Sequence, residues 1–144
     1  MLIIVTMLND EETEALLACA RDCGLFVLLE AFDVDDLTRI AGLAGPRLAP
    51  EQAPVLCGVN CRDLKTLAVD FDRFAALAEH LPAGLTPVAE SGILGTDEVR
   101  AVAQMGYQAA LVGSILMQSQ QPAQAVAELA AAGAQCYAQR PSCS

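Results

Sequence analysis

The stretch PVAESGI, Pro87 to Ile93, begins as a short apolar strand and ends in an acid, a hydroxyl and a glycine. An acid, a hydroxyl and a glycine such as Glu90, Ser91 and Gly92 contribute little to the packing of a buried core strand. At the end of a strand that borders a functional site, all three can take part in the site. In a parallel βα array, the functional site is formed by residues at the carboxyl ends of the strands and in the loops that follow them. We therefore predict that this strand belongs to such an array.

Apolar runs rich in Val, Ile and Leu alternate along the chain with segments of helix length, which is typical of successive βα units. The runs lack strict polar alternation, as expected when both faces of a parallel sheet are covered. The predicted strands are Leu2 to Thr6, Phe26 to Glu30, Val55 to Val59, Pro87 to Ala89 and Ala109 to Val112. The predicted helices are Asp10 to Cys23, Val34 to Gly42, Phe71 to His80, Asp97 to Met105 and Ala123 to Ala132.

Several residues indicate where helices begin and where loops follow. Asn9 with Glu12 resembles a capping box, and three further residues suit helix starts: Asp33 and Thr96 as N-caps and Pro122 in a first turn. The segment Ala41 to Pro54 holds three prolines and two glycines, so it is predicted to be a long loop. The tail Gln135 to Ser144 is predicted to be frayed.

Length and charge limit the classes of protein to consider. The 144 residues suit one domain, and a net charge of -10, from 18 acids and 8 bases, would repel a nucleic-acid backbone. No stretch approaches the ~18 apolar residues of a membrane-spanning helix, and Met1 to Leu8 lacks the features of a signal peptide. We predict a cytoplasmic protein that binds neither nucleic acid nor membrane.

The six cysteines do not form a metal-binding pattern. Cys19 and Cys23 have helical i, i+4 spacing, Cys57 and Cys61 flank a strand end, and neither pair is a C-x-x-C motif. His80 is distant from both pairs in sequence and is predicted to be solvated. We expect ordinary free thiols and no metal.

The polar residues at the strand ends should meet at one edge of the sheet. They are Glu30 after the second run, Asn60 with Arg62 after the third, Glu90-Ser91-Gly92 after the fourth and Gly113-Ser114 after the fifth. Glycines after neighbouring late strands let backbone N–H groups approach an oxyanion, and a short helix from Ser114 would direct its positive end there. This suggests a phosphate cup. Alternatively, the glycines only make tight turns, Ser114 caps a helix, the acids and Arg62 are solvated, and Asn60 makes an Asx turn.

Three long motifs carry a resemblance to a known family: GVNCRDLKTLAVD (58–70), PVAESGI (87–93) and ALVGSILM (110–117). They resemble the last three strand-loop segments of indole-3-glycerol-phosphate synthase, a (β/α)8 barrel of tryptophan biosynthesis. VLLEAFDVDDL (27–37) and LIIVTMLNDEE (2–12) resemble the fifth and fourth strand segments, so the resemblance runs from about residue 2 to 129. It implies a single, incomplete barrel domain over 1–144, with five parallel strands alternating with helices.

The resemblance implies a lyase that decarboxylates and closes 1-(2-carboxyphenylamino)-1-deoxyribulose 5-phosphate to indole-3-glycerol phosphate, without cofactor or metal. Glu30 is similar to the family's general base or proton relay, and Asn60 and Glu90 to residues that orient the substrate at the ring-closing centre. The resemblance also implies that Arg62 and Ser91 bind substrate. Gly92, Gly113 and Ser114 are similar to its phosphate ligands.

The chain also departs from the family pattern. The family's first three strands carry a glutamate and two lysines, one of them the general acid, and the only lysine here is Lys65, at a loop position. Ring closure needs a proton delivered to a departing hydroxyl, so weak activity or none is expected from this chain alone. Cys61, where the family often has asparagine, and the 41–54 loop are lesser departures.

A full barrel typically needs roughly 200 residues or more, so five strands would leave open sheet edges. Three alternatives follow: a piece of a full enzyme, a chain that pairs with a separate N-terminal fragment or with itself, or a degenerate remnant. The function alternatives are the synthase and a non-catalytic module that either binds a phosphorylated small molecule or serves as an interaction module. Phosphoribosylanthranilate isomerase is a weaker alternative, because it shares the late glycines but not the VNCRDLKT run.

Overall fold

Five short strands form one parallel sheet in the computed structural model, which describes residues 1–44 and 54–138. The strands lie in chain order, so each pairs with its sequence neighbours, as the repeated βα pattern requires. All pairs are parallel, and all carboxyl ends therefore lie at one edge. The strands are β1 Leu2–Ile4, β2 Val27–Ala31, β3 Val55–Asn60, β4 Thr86–Glu90 and β5 Ala109–Leu111.

Helices connect consecutive strands and follow the last one. A short 3-10 turn, Val5–Met7, precedes the first of them. The helices are α1 Asp10–Asp22, α2 Val34–Ala44, α3 Arg73–Ala78, α4 Thr96–Met105, α5 Ser114–Gln118 and α6 Pro122–Ala138. This alternation confirms the predicted fold class, a partial (β/α) barrel with five parallel strands.

The two faces of the sheet have different partners, because successive side chains of a strand point to opposite sides. Val27, Leu29 and Ala31 of β2 are buried in the main apolar core, together with Cys57 and Val59 of β3. The residues between them, such as Leu28 and Glu30, lie on the opposite face. That second face is the one that carries the predicted acids.

The two outer strands of the described sheet are poorly covered. In β1, the Leu2 side chain is 44% exposed, and all residues of β5 are exposed, with Leu111 at 53%. Burial is therefore deepest in β2, β3 and β4, the strands that carry Glu30, Asn60 and Glu90. The sheet thus places these three candidate residues at its centre.

Local helix signals are mostly confirmed. Asn9 and Glu12 form the capping box of α1, the Asp33 side chain accepts a hydrogen bond from the Asp36 N–H at 2.9 Å, and Pro122 is the first residue of α6. The prediction for Thr96 is wrong, since Gly95 is the N-cap of α4 and the Thr96 hydroxyl instead accepts a hydrogen bond from Arg100. An N-cap residue needs an extended backbone, which Gly95 provides.

Several predicted boundaries need correction. β1 stops at Ile4 because Val5–Met7 turns into the 3-10 segment, and β2 runs one residue past Glu30. The predicted helix from Phe71 to His80 shrinks to Arg73–Ala78. The predicted loop begins later than Ala41, because α2 continues to Ala44, and its remaining residues 45–53 lie outside the described residues.

The tail is also more ordered than predicted at its start, since α6 continues through Gln135 to Ala138. Residues 139–144 of the predicted frayed tail lie outside the described residues. Across the described ranges 1–44 and 54–138, every helix is too short or too polar to span a lipid bilayer.

Candidate functional site

Glu30, Asn60 and Glu90 come together on one face of the sheet near its carboxyl edge. All three side chains are buried, with exposed fractions of 4%, 9% and 1%. The strand register places Asn60 directly beside Glu90, and Glu30 beside Gly58, two residues before Asn60. Buried acids and amides require specific polar partners, so their contacts determine what this cluster can do.

The Asn60 side chain uses both ends of its amide. Its Nδ2 donates to Glu30 Oε1 at 3.2 Å, and its Oδ1 accepts a hydrogen bond from the Arg62 backbone N–H at 2.9 Å. The second contact is the Asx turn that the sequence left open as an alternative. The first contact means that Asn60 also holds the carboxyl of Glu30 in place.

Glu90 is the most deeply buried acid of the cluster. Burial, and then the neighbouring Glu30 carboxyl, raise the pKa of Glu90 to about 8 from an ordinary value of 4.5. Its Oε1 is buried and has no hydrogen-bond partner among the described residues. Glu90 is therefore mostly protonated at neutral pH.

The backbone turns sharply directly after Glu90. Ser91 and Gly92 have φ values of 66° and 67°, a left-handed conformation that only glycine adopts without cost. A Cβ at Gly92 would lie 2.8 Å from Cys61 Sγ, so a larger residue would crowd this position. A strained non-glycine residue such as Ser91 often marks a functional turn.

A cleft of about 950 Å³ opens beside the acid cluster. Its lining includes the five residues predicted to bind the substrate and its phosphate: Arg62, Ser91, Gly92, Gly113 and Ser114. The predicted site residues thus form two neighbouring groups, the buried acid cluster and the cleft lining. The groups are adjacent because Glu90 precedes Ser91 in the chain and Asn60 lies two residues before Arg62.

The rest of the cleft lining is apolar or acidic. Leu94 and Leu111 are 66% and 53% exposed and contribute apolar surface at the opening. Asp97 and Glu98 also line the cleft, and Asp97 is paired with Arg100 at 2.8 Å. Arg62 is the cationic side chain in this lining, so it is the residue best suited to attract an anion there.

Arg62 is held by the loop that follows β3. Its Nη1 donates to the Leu67 carbonyl oxygen at 3.0 Å, and Leu67 has a left-handed backbone with φ 61°. Asp63 organises the same loop by accepting hydrogen bonds from the N–H groups of Lys65 and Thr66. Arg62 is therefore a positioned, half-buried cation, whereas Lys65 is exposed.

Gly113 and Ser114 form the start of α5, as the sequence predicted. The N-cap residue of α5 is Gly113, and no side chain hydrogen-bonds to the first turn as a cap. The alternative in which Ser114 caps the helix is therefore wrong. Within the described part of the chain, the hydroxyls of Ser114 and Ser91 have no hydrogen-bond partner. Both hydroxyls are free to contact a ligand in the cleft.

Sequence reasoning missed Gly58 and the two exposed leucines. Gly58 lies in the middle of β3, where a Cβ would overlap with Glu90 Oε1 and lie 2.9 Å from its Cδ. An isolated glycine in a strand pattern often indicates a close approach by another group, which was the available signal. Leu94 and Leu111 offered no signal, because a leucine in a strand or after it is usually part of a core.

The thiols behave as predicted for the residues that the structure describes. Cys57 and Cys61 are buried, Cys19 and Cys23 are exposed, Cys136 is intermediate, and all five are free. Burial, and then Glu90, raise the pKa of the Cys57 thiol to about 12, which makes it unreactive at neutral pH. His80 is exposed, as expected.

Two solved structures are similar to this chain in fold. The 3-hexulose-6-phosphate synthase of Salmonella typhimurium superposes with a TM-score of 0.63 at 16% identity, over 94% of this chain and 61% of that one. The BexX/CysO complex of Amycolatopsis orientalis gives 0.61 at 20% identity, over 92% of this chain and 52% of that one. At these identities the likeness concerns the fold alone.

Sequence comparison is more specific. Indole-3-glycerol phosphate synthase of Mycolicibacterium vanbaalenii is 39% identical over 143 residues, which are 99% of this chain and 47% of that protein. The corresponding Arthrobacter protein is 38% identical over 139 residues, 96% of this chain and 48% of that protein. The chain thus spans about half the length of these curated relatives.

A sequence model of the family described as indole-3-glycerol phosphate synthase matches residues 1–129. This range contains the five described strands and every candidate site residue. It also agrees with the extent of the resemblance found from the three motifs, which favours the synthase over phosphoribosylanthranilate isomerase. The chain belongs to the indole-3-glycerol phosphate synthase family.

Proposed function

We propose that this chain supplies the substrate-binding and proton-accepting part of an indole-3-glycerol-phosphate synthase site. The reaction would be the decarboxylating ring closure of 1-(2-carboxyphenylamino)-1-deoxyribulose 5-phosphate, with release of carbon dioxide and water. The observation that carries the proposal is the buried cluster of Glu30, Asn60 and Glu90 beside the cleft, in a chain of this family.

Glu30 is proposed as the general base or proton relay, and Asn60 and Glu90 as the residues that orient the reacting centre. The hydrogen bond from Asn60 Nδ2 fixes one oxygen of Glu30, which suits a base that must be held in one orientation. The raised pKa of Glu90 suits a group that stays protonated beside the reacting centre.

The phosphate is proposed to bind in the cleft at Gly92, Gly113 and Ser114, with Arg62 and Ser91 contacting the rest of the substrate. Glycine leaves backbone N–H groups accessible to phosphate oxygens, and the free Ser114 hydroxyl adds a donor. The exposed Leu94 and Leu111 provide apolar surface, which suits the aromatic ring of the proposed substrate.

We further propose that the general acid comes from a segment that carries the family's first three strands. Ring closure needs a proton donor at the departing hydroxyl, and the only lysine of this chain, Lys65, is an exposed loop residue outside the cleft lining. The chain by itself is therefore expected to turn over weakly or not at all.

The direct test supplies that segment, taken from a full-length relative, as a separate polypeptide and measures indole-3-glycerol phosphate formation by its fluorescence. Formation is expected only when both polypeptides are present. Glu30→Gln should lower the rate by about a hundred-fold or more, the scale of a general base. Glu14→Gln, at an exposed helix position, is the matched control and should leave the rate unchanged. No product in the mixture, with both parts folded, would refute the proposal.

The alternative function is phosphate-ligand binding without turnover, which the free Ser114 hydroxyl in the cleft and the lack of a cleft lysine favour. Calorimetric titration of the chain with indole-3-glycerol phosphate tests it. Binding should weaken in Ser114→Ala but not in Ser119→Ala, at the opposite end of α5. No measurable heat, or equal binding by both variants, would count against a phosphate cup.

A further inference from the structure

Gly58 lies in the middle of β3 on the face that carries the acid cluster. A Cβ built at this position would overlap with Glu90 Oε1, lie 2.9 Å from Glu90 Cδ and lie 3.1 Å from Leu28 Cδ1. Distances below 3.0 Å require a neighbour to move, and here the neighbour is a carboxyl group buried to 1% exposure. The Glu90 carboxyl therefore occupies the volume that any other residue at position 58 would fill.

The strand register shows where this places the carboxyl. Glu90 pairs with Asn60, whereas its carboxyl reaches back along the neighbouring strand to Gly58. On the other side of β3, Gly58 pairs with Glu30 of β2. A carboxyl group resting over Gly58 therefore lies next to the register position of Glu30.

Two neighbouring buried carboxyl groups resist ionising together, because their like charges repel strongly away from water. Asn60 Nδ2 donates to Glu30 Oε1, whereas Glu90 Oε1 has no hydrogen-bond donor among the described residues. Glu90 then carries the proton. This assignment agrees with the direction in which its pKa is shifted, upward through burial first and the Glu30 carboxyl second.

No other charged side chain of the described residues replaces Glu30 as the partner of Glu90. Cys57, on the opposite face of β3, is neutral near pH 7 because burial raises its thiol pKa to about 12. The two nearby guanidinium groups bind elsewhere: Arg62 donates to the Leu67 carbonyl and Arg73 to the Asn60 carbonyl. The proton on Glu90 is therefore held by its burial and by Glu30.

We propose that Gly58 is a positioning residue: the space left by its absent side chain holds the Glu90 carboxyl against Glu30, so that the two acids share one proton. Only glycine leaves this space within the strand. The catalytic meaning of the pair, a base with an adjacent proton donor, rests on the proposed function. The shared proton itself is measurable without any turnover.

The test is an NMR pH titration of the whole chain, labelled with 13C at the glutamate side-chain carboxyl. Wild-type protein should show one glutamate with a midpoint near pH 8, and this resonance should disappear in Glu90→Gln. In Gly58→Ala the Cβ displaces the carboxyl, so the midpoint of Glu90 should fall by about one unit or more. Gly42→Ala is the matched control, because a Cβ there meets nothing within 4 Å, and it should leave the midpoint unchanged.

Gly58→Ala has a second possible result, loss of the native fold. In that case Glu30→Gln, which removes the partner carboxylate and leaves Gly58 in place, should lower the midpoint of Glu90 by about one unit. The inference is overturned if no glutamate of the wild type titrates above about pH 6, or if the midpoint is unchanged in folded Gly58→Ala or in Glu30→Gln. Failure of product formation with these titrations intact would refute the proposed function instead.

Discussion

Gly92 shows at the residue scale why the turn after β4 ends in glycine. Its φ of 67° is left-handed, and its missing side chain leaves room for Cys61 Sγ, Val69 and Phe71. Gly24, after α1, has nearly the same φ of 66°, but a Cβ added there would meet nothing within 4 Å. Comparing alanine substitutions at the two glycines therefore separates the free-energy cost of a left-handed backbone from the free-energy cost of steric crowding.

Gly24→Ala is expected to lower the free energy of unfolding by about 1–2 kcal/mol, the cost of a left-handed alanine. Gly92→Ala should lose that amount and an additional ~1–3 kcal/mol from overpacking against Cys61. Urea denaturation of both variants and the wild type measures the difference. Equal losses would mean that the contacts of Gly92 can relax without cost.

The burial of Glu90 predicts how the free energy of unfolding changes with pH. Its pKa is about 8 in the folded chain and near 4.5 when unfolded, so the folded state binds more protons between these values. Unfolding then becomes easier as the pH rises from 4.5 to 8, and the stabilising effect of the Glu90 proton is lost above that window. Below 4.5 it is fully present.

Glu90→Gln removes this titration and keeps the shape of the side chain. Urea unfolding of both proteins at a series of pH values is expected to show that the wild type loses more stability than the variant between pH 4.5 and 8. Parallel curves for the two proteins over this window would contradict the assignment of the raised pKa to Glu90.

At the scale of elements, two kinds of contact stabilise the start of α1. Contacts between residues close in sequence can be predicted from the sequence, whereas contacts with residues far away in sequence cannot. The capping box is local: Asn9 Oδ1 accepts from the Glu12 N–H and Glu12 Oε2 accepts from the Asn9 N–H, each at 2.9 Å. Arg39 of α2 donates to the Val5 and Leu8 carbonyls and to Asp10. The 3-10 turn before α1 is therefore closed by a side chain more than thirty residues away.

Asn9→Ala is expected to lower the free energy of unfolding by about 1 kcal/mol, because the Glu12 N–H in the first turn loses its partner, Asn9 Oδ1. Asn9→Ser, which keeps an accepting oxygen, should restore most of that loss. Urea midpoints compare the three proteins. If alanine is as stable as serine at this position, Arg39 alone is sufficient to hold the helix start.

At the scale of the whole molecule, the sheet has two edges without a neighbouring strand in the described residues. On β5, the Gln108 N–H bonds to the Pro87 carbonyl of β4, so the N–H groups of Ala109 and Leu111 face the open side. Exposed parallel edges of this kind favour pairing with another strand. We expect either the proposed three-strand segment or a second copy of the chain to cover them.

Without an added segment, self-association is expected, and sedimentation equilibrium should show a molar mass that rises with concentration. Leu111→Lys, which puts a charge on the edge strand, should shift the chain toward the monomer. Met117→Lys is the control, since Met117 is 87% exposed on α5 and not in the sheet. A compact monomer at all concentrations would refute edge pairing.

Much of the fold could be predicted from sequence, because βα alternation, helix caps and strand-end acids are local signals. The five strands and the helices between them were found with boundary errors of a few residues, and the family followed from three motifs. One boundary error falls where a distant group decides: Arg39 closes the turn that ends β1.

The sequence by itself thus determined the order of the strands, the family and the residues that end each strand. Only the tertiary structure decided how Glu90 lies over Gly58 beside Glu30, and which strand edges remain exposed. The reason is physical: periodicity and capping depend on residues within a few positions of each other. The environment of a buried carboxyl depends on the register of neighbouring strands, which brings together residues about thirty positions apart.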